Sequence, residues 1–341
     1  MRIRIFLTRK ILTGNSLRKN LTASFLGIFS ALIILEIGCQ VYALYLDKQW
    51  KAIKSAPGHY FKASQNATLG YELAGNFSIE KDGRRLSINR FGIRDVEDEI
   101  YDIPQIAILG DSVVFGIGLS QEQTISSLLQ EAINQTGANV KVLNFGVPGY
   151  GLDELVEYLK IKDKIYNVDK VIYILNPNDF ARRSSIYEGA DAGLYRMYHQ
   201  PLLKSPWFIR KAIYRIKKYR GWDDYHNLKA SAKWYQWLFK GNKDAGYKHL
   251  KEMALYANEK GINFTVVLLP AGVAYDENDS YGLSDMYESI GAFLKANNIS
   301  YINPIDNFGS NVEKYFDPTD HLTFKGNVLM AEILHRYLEK R

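Results

Sequence analysis

The chain has 341 residues, 47% of them hydrophobic, which is enough for a packed core and argues against pervasive disorder. Its formal charge of +6 is confined to one end: residues 1–20 carry Arg2, Arg4, Arg9, Lys10, Arg18 and Lys19 with no acid, and the remaining 37 basic and 37 acidic residues cancel. That balance does not indicate the broad positive surface nucleic-acid binding uses, and a single cysteine, Cys39, excludes an intramolecular disulfide or a cysteine-based site in the body of the chain.

Residues 21–46 form an apolar run whose only formal charge is Glu36. About 20 apolar residues cross a bilayer core as a helix, so the run predicts one transmembrane anchor. The basic residues ahead of it place the N-terminus in the cytoplasm and the body outside it, in a periplasm or at the cell surface. A cleaved signal peptide is the competing reading. It expects a shorter apolar region ending in small residues, which Tyr42, Tyr45 and Leu46 do not supply. Glu36, Cys39 and Gln40 share one helical face, and a carboxylate at mid-membrane costs on the order of 3 kcal/mol. The stripe therefore calls either for a partner helix or for a neutral Glu36 near one interface.

Residues 47–104 carry glycine, asparagine and charge clusters, among them Asn89-Arg90-Phe91-Gly92-Ile93-Arg94-Asp95, and predict a lead-in of short strands and turns. From residue 105 the pattern changes. Apolar runs at 106–109, 140–143, 171–175, 264–269 and 300–302 predict five strands. Amphipathic stretches at 121–135, 152–165, 245–258, 284–296 and 325–339 predict the helices between and after them. Short apolar strands alternating with helices predict an α/β domain over 105–341: a doubly wound, flavodoxin-like, five-stranded parallel sheet with helices on both faces. Residues 180–244, rich in aromatic and basic side chains, interrupt the alternation and read as an insertion.

Ligands of such sheets bind at the carboxyl ends of the strands, so the residues following each strand are the ones to weigh. After the first strand, Gly110-Asp111-Ser112-Val113-Val114-Phe115-Gly116 places a serine in a glycine-bounded turn. After the second, Asn144 to Gly151 includes Gly146, Gly149 and Gly151, where backbone can approach a ligand closely. After the third comes Asn176-Pro177-Asn178-Asp179, with an amide in Asn178. Before the last helix, His321 follows Asp317, Pro318, Thr319 and Asp320. An imidazole beside carboxylates has the makings of a general base. His59, His199, His226, His249 and His335 lack comparable surroundings.

In that order at strand ends, the four segments resemble the SGNH hydrolase family, the GDSL-type esterases, over roughly residues 85–341. The resemblance implies Ser112 as nucleophile and His321 as general base. It implies an oxyanion hole formed by the N–H groups of Ser112 and Gly149 and the Asn178 amide, with no metal or organic cofactor. Val113 stands where the family often has leucine, and Asn176 where it usually has glycine. More seriously, Pro318 occupies the usual place of the triad aspartate, three residues before the histidine. Asp317 and Asp320 remain the candidates. Asp317 is favoured because adjacent side chains in extended backbone point to opposite faces, which works against Asp320.

Exposure and anchoring, added to the resemblance, give an esterase that removes acetyl or another short acyl group from a cell-envelope glycan. An O-acyltransferase, a lipid esterase and a non-catalytic glycan-binding scaffold are the alternatives. Within the insertion, residues 207–222 pattern as a basic amphipathic helix that would either lie on an anionic membrane or pack on the domain. Trp234, Tyr235, Trp237 and Phe239 would form a cap able to stack on sugar rings.

Overall fold

The first described element is a long helix, α1 (Gly14–Lys54), in a computed structural model that describes residues 14–54, 60–66, 68–181, 203, 205–206, 209, 232–276, 280–309 and 312–340. Its stretch Lys19–Tyr42 is long and apolar enough to cross a membrane, a test that a signal sequence also passes. The Glu36 carboxylate meets groups of its own chain: it accepts from Gln40 Nε2 at 2.7 Å, one helical turn on, and from the Ser205 N–H at 2.9 Å. The patterned stretch 207–222 lies outside the described residues except for Ile209, as do His59, His199 and His226.

The lead-in folds as two small antiparallel pairs. β1 (Phe61–Ala63) pairs with β2 (Tyr71–Leu73), and β3 (Phe77–Lys81) pairs with β4 (Arg84–Ile88). Asp82 and Gly83 join the second pair with φ of 53° and 71°, the left-handed geometry that suits a two-residue hairpin turn to the twist of its strands.

Five parallel strands then form the main sheet: β5 (Gln105–Gly110), β6 (Lys141–Gly146), β7 (Lys170–Leu175), β8 (Asn263–Leu268) and β9 (Ser300–Ile302). Their spatial order is β6-β5-β7-β8-β9, so the chain reverses direction across the sheet after β6, and the switch point lies at the carboxyl end of β5 beside β7. The order is that of the doubly wound flavodoxin-like class.

The helices are α2 (Ser112–Phe115), α3 (Ile125–Gln135), α4 (Leu152–Tyr166), α5 (Ala232–Lys260), α6 (Ser284–Ala296), α7 (Ile305–Phe308), α8 (Val312–Tyr315) and α9 (Phe324–Glu339). Strand residues alternate between two cores because successive side chains leave a sheet on opposite faces. On one face Ile106, Ile108, Ile172 and Val267 pack with Ile125, Leu129 and Ile133 of α3 and Met330 and Leu334 of α9. On the other, Ala107, Leu109, Tyr173 and Leu268 pack with Leu155 and Leu159 of α4, Leu250 and Met253 of α5, and Ile290 of α6.

One boundary differs from the sequence expectation. Helix α5 begins at Ala232, well before residue 245, so residues 232–244 belong to a core helix. Trp234, Tyr235, Leu238 and Phe239 recur at helical spacing and are buried in the core, so that of the four aromatic residues only Trp237 is exposed. The aromatic cap expected there is therefore mostly core.

Candidate active site

The turn after β5 is built from short-range capping and long-range bracing. Asp111 caps α2, its Oδ1 accepting from the Val113 N–H at 2.9 Å, and Ser112 opens the helix. At the end of β6, a Cβ on Gly146 would lie 2.1 Å from the Phe115 nitrogen, so only glycine lets that strand run so close behind Ser112. Asn144, one strand over, donates to the Val114 carbonyl at 2.9 Å.

The lead-in supplies the rest of the brace. Arg94, 1% exposed, donates to the carbonyls of Phe115 at 2.6 Å, Gly116 at 2.7 Å and Leu119 at 2.7 Å, and to Gln121 Oε1 at 3.2 Å. Burial pulls its pKa down to about 10, which leaves the guanidinium cationic at neutral pH. Tyr71 donates to the Pro148 carbonyl at 2.6 Å, and its hydroxyl lies against Gly149, which holds φ at +81°.

Ser112 and His321 meet across this edge, although 209 residues separate them: Oγ lies 2.9 Å from Nε2. On the far side of the ring, Nδ1 lies 2.8 Å from Thr319 Oγ1, and that hydroxyl donates to Asp317 Oδ1 at 2.6 Å. The same Asp317 oxygen accepts the N–H of Thr319 at 2.7 Å and of His321 at 3.1 Å. Burial raises the Asp317 pKa, but these hydrogen bonds outweigh it and hold the carboxyl below its ordinary value.

The two expected aspartates thus separate. Neither touches Nδ1 directly. Asp317 stays on the imidazole side through Thr319, whereas Asp320, in left-handed backbone at φ 65°, turns its side chain away from Nδ1. Its carboxylate accepts from Tyr235 OH at 2.6 Å and from the Val273 N–H at 3.2 Å. The Asp320 side chain lies instead between α5 and the loop after β8.

Asn178 also reaches this edge. Its Nδ2 donates to Asp111 Oδ2 at 3.1 Å, and the same oxygen accepts from Asn176 Nδ2 at 3.2 Å and lies 3.3 Å from Ser112 Oγ. Gly149 is exposed at the rim. Among the described residues, the N–H groups of Ser112 and Gly149 donate to no protein acceptor. Beneath them Asp179, fully buried, has its carboxyl raised well above the ordinary range by burial and by the nearby Asp111, while Tyr173 OH donates to it at 2.7 Å. Of the remaining histidines that are described, His249 lies near Glu252 and His335 near Glu339, away from this edge.

Four contributors escape sequence reasoning: Arg94, Tyr71, Asp111 as a hub, and Thr319. Asp111 carried the clearest signal, because an Asx residue directly before a helix start is a capping signature.

No family model and no curated protein matches the sequence. Solved structures similar to it include a lipase/acylhydrolase from Enterococcus faecalis, at 13% identity and a TM-score of 0.44, covering 70% of this chain and 97% of that one. Another is the psychrotrophic esterase EstA from a Pseudoalteromonas species, at 15% identity and a TM-score of 0.43, covering 69% of this chain and 97% of that one. A third is a GDSL-like lipase from Bacteroides thetaiotaomicron, at 14% identity and a TM-score of 0.41, covering 69% of this chain and 88% of that one.

Proposed function

We propose that the chain is a serine ester hydrolase with Ser112 as nucleophile and His321 as general base. The observation that carries this reading is the 2.9 Å approach of Ser112 Oγ to His321 Nε2 at the switch point of the sheet. A hydroxyl is a weak nucleophile until a base takes its proton, and this geometry provides the base. Ser112 Oγ attacks an ester carbonyl as its proton passes to Nε2. The carbonyl electrons move onto oxygen, and collapse of the tetrahedral species expels the alcohol, which takes the proton back from Nε2. Water then repeats the sequence on the acyl-enzyme.

The Ser112 and Gly149 N–H groups, which donate to no protein acceptor among the described residues, would receive the oxyanion. Asn178 adds a third donor: Asp111 holds one of its amide hydrogens and leaves the other for a ligand oxygen. The substrate is an acyl ester, read from the sequence as a short acyl group such as acetyl on a cell-envelope glycan. The helix α1 would hold the enzyme at the membrane with its catalytic body on the extracytoplasmic side.

The full chain in detergent micelles, assayed with chromogenic acetyl and longer-chain esters and labelled with a fluorophosphonate, tests the reading. Turnover and labelling that both vanish in Ser112→Ala are the expected result. A folded wild-type protein that neither turns over any ester nor labels at Ser112 would overturn it.

A further inference from the structure

The His321 ring has an acceptor on its far side that is a hydroxyl, where the sequence led one to expect a carboxylate. Thr319 Oγ1 sits 2.8 Å from Nδ1 and 2.6 Å from Asp317 Oδ1. A hydroxyl has one proton to give and lone pairs to receive, and Asp317 as an anion only accepts. The directions are therefore set: Thr319 gives its proton to Asp317, so it must accept from the ring, and Nδ1 carries the hydrogen. The lone pair is thereby left on Nε2, the nitrogen that faces Ser112 Oγ.

We propose that Thr319 is a positioning residue that links His321 to Asp317, fixing the tautomer and orientation of the imidazole in place of a direct carboxylate contact. The proposal rests on the esterase reading above and deepens it.

The loop is shaped to hold this bridge. Asp317 donates its N–H to the His321 carbonyl at 2.8 Å, and Asp320 donates its own to the Asp317 carbonyl at 2.9 Å, which closes the five residues into a tight turn. The left-handed Asp320 lies inside that turn, and Asp317 Oδ1 gathers three donors from it. With the backbone N–H groups of Thr319 and His321 already on Asp317, the carboxylate is pinned under the threonine and the hydroxyl spans the remaining gap. When Ser112 gives up its proton, the positive charge on the imidazolium is met by the oriented Thr319 hydroxyl with the anion behind it. No proton leaves Nδ1, and Asp317 stays ionised.

Two substitutions separate hydroxyl from packing. Thr319→Val keeps the shape and removes both hydrogen bonds. Thr319→Ser keeps the hydroxyl. In the full chain, Thr319→Val should lower kcat by about 10- to 100-fold with little change in KM, the loss expected when a hydrogen bond to a charged group disappears. Thr319→Ser should stay within about threefold of the wild type, well inside one hydrogen bond's worth. Without the acceptor the imidazolium is less stable, so the acidic limb of the kcat/KM profile should move to lower pH in Thr319→Val.

The Nδ1 proton resonance of His321, read without substrate, should shift upfield or broaden into solvent exchange in Thr319→Val and persist in Thr319→Ser. Equal losses in both variants, or a valine variant with wild-type kcat, pH profile and Nδ1 resonance, would overturn the bridge. Because the resonance needs no turnover, its result stands apart from the fate of the esterase reading, which Ser112 labelling decides.

Discussion

Ser112 and His321 meet at one hydrogen bond but are held in opposite ways. The serine sits on a buried platform: its turn grows directly from a central strand, is pressed against Gly146, and is tied to Arg94 and Asn144 from two other parts of the chain. The histidine sits on a five-residue surface loop secured by bonds among its own members and by one outward link, from Asp320 to Tyr235 and Val273. Rigid elements position chemistry more closely than loops do, so the serine supplies the fixed reference and the histidine the adjustable partner. Substitutions should accordingly cost stability on the serine side, whereas on the histidine side they should cost activity or alter pH behaviour.

The largest effect expected is on chemistry at the meeting point itself. Ser112→Ala and His321→Ala should each lower ester turnover by on the order of 10,000-fold, since members of such a unit fail together. His249→Ala, away from that edge, should leave turnover near the wild-type level. Similar losses in His249→Ala and His321→Ala, measured as kcat/KM on one chromogenic ester, would remove the base assignment. The next effect is on stability. Arg94→Met strips three carbonyls and Gln121 of their donor in a site closed to water, and should cost about 3 kcal/mol or more in denaturant unfolding. A variant of wild-type stability would mean that the serine platform does not depend on the lead-in, and the contrast between the two halves would weaken.

The same contrast explains what could be read from the sequence. Strands β5 to β8 were legible because they are short apolar runs largely buried on both faces, and α6 matched its expected bounds of 284–296 because its apolar residues recur at helical spacing. The start of α5 was hidden: Trp234, Tyr235 and Phe239 look like an aromatic loop until the packed core is in place to bury them. The serine segment stood out through its glycines. Its strongest brace did not, because Arg94 answers carbonyls 21 to 25 residues further on and nothing local marks an arginine as buried. Thr319 was illegible for a related reason. A threonine two residues before a histidine has no meaning until the turn from Asp317 to His321 closes and brings its hydroxyl to Nδ1.

The smallest effect tests the one outward link of the histidine loop. Burial pushes the Asp320 carboxyl up to about 6, against the hydrogen bonds from Tyr235 and from the N–H groups of Val273 and Gly272. An unfolded aspartate titrates near ~3.9, so between about pH 4 and 6 the folded chain binds more protons here than the unfolded one. The stability this group contributes is fully present below ~4 and is lost as pH rises through 6, a change on the order of 3 kcal/mol. Asparagine tolerates left-handed backbone and keeps an acceptor for Tyr235 OH, but it does not titrate. Asp320→Asn should therefore gain in Tm relative to the wild type as pH climbs from 4 to 6.5, and hold a constant difference above pH 7. Other buried acids such as Asp179 are common to both proteins and cancel in that difference. A Tm difference that stays flat from pH 4 to 7 would mean that Asp320 is solvated in the folded chain, and that the histidine loop is fastened to α5 less tightly than its hydrogen bonds imply.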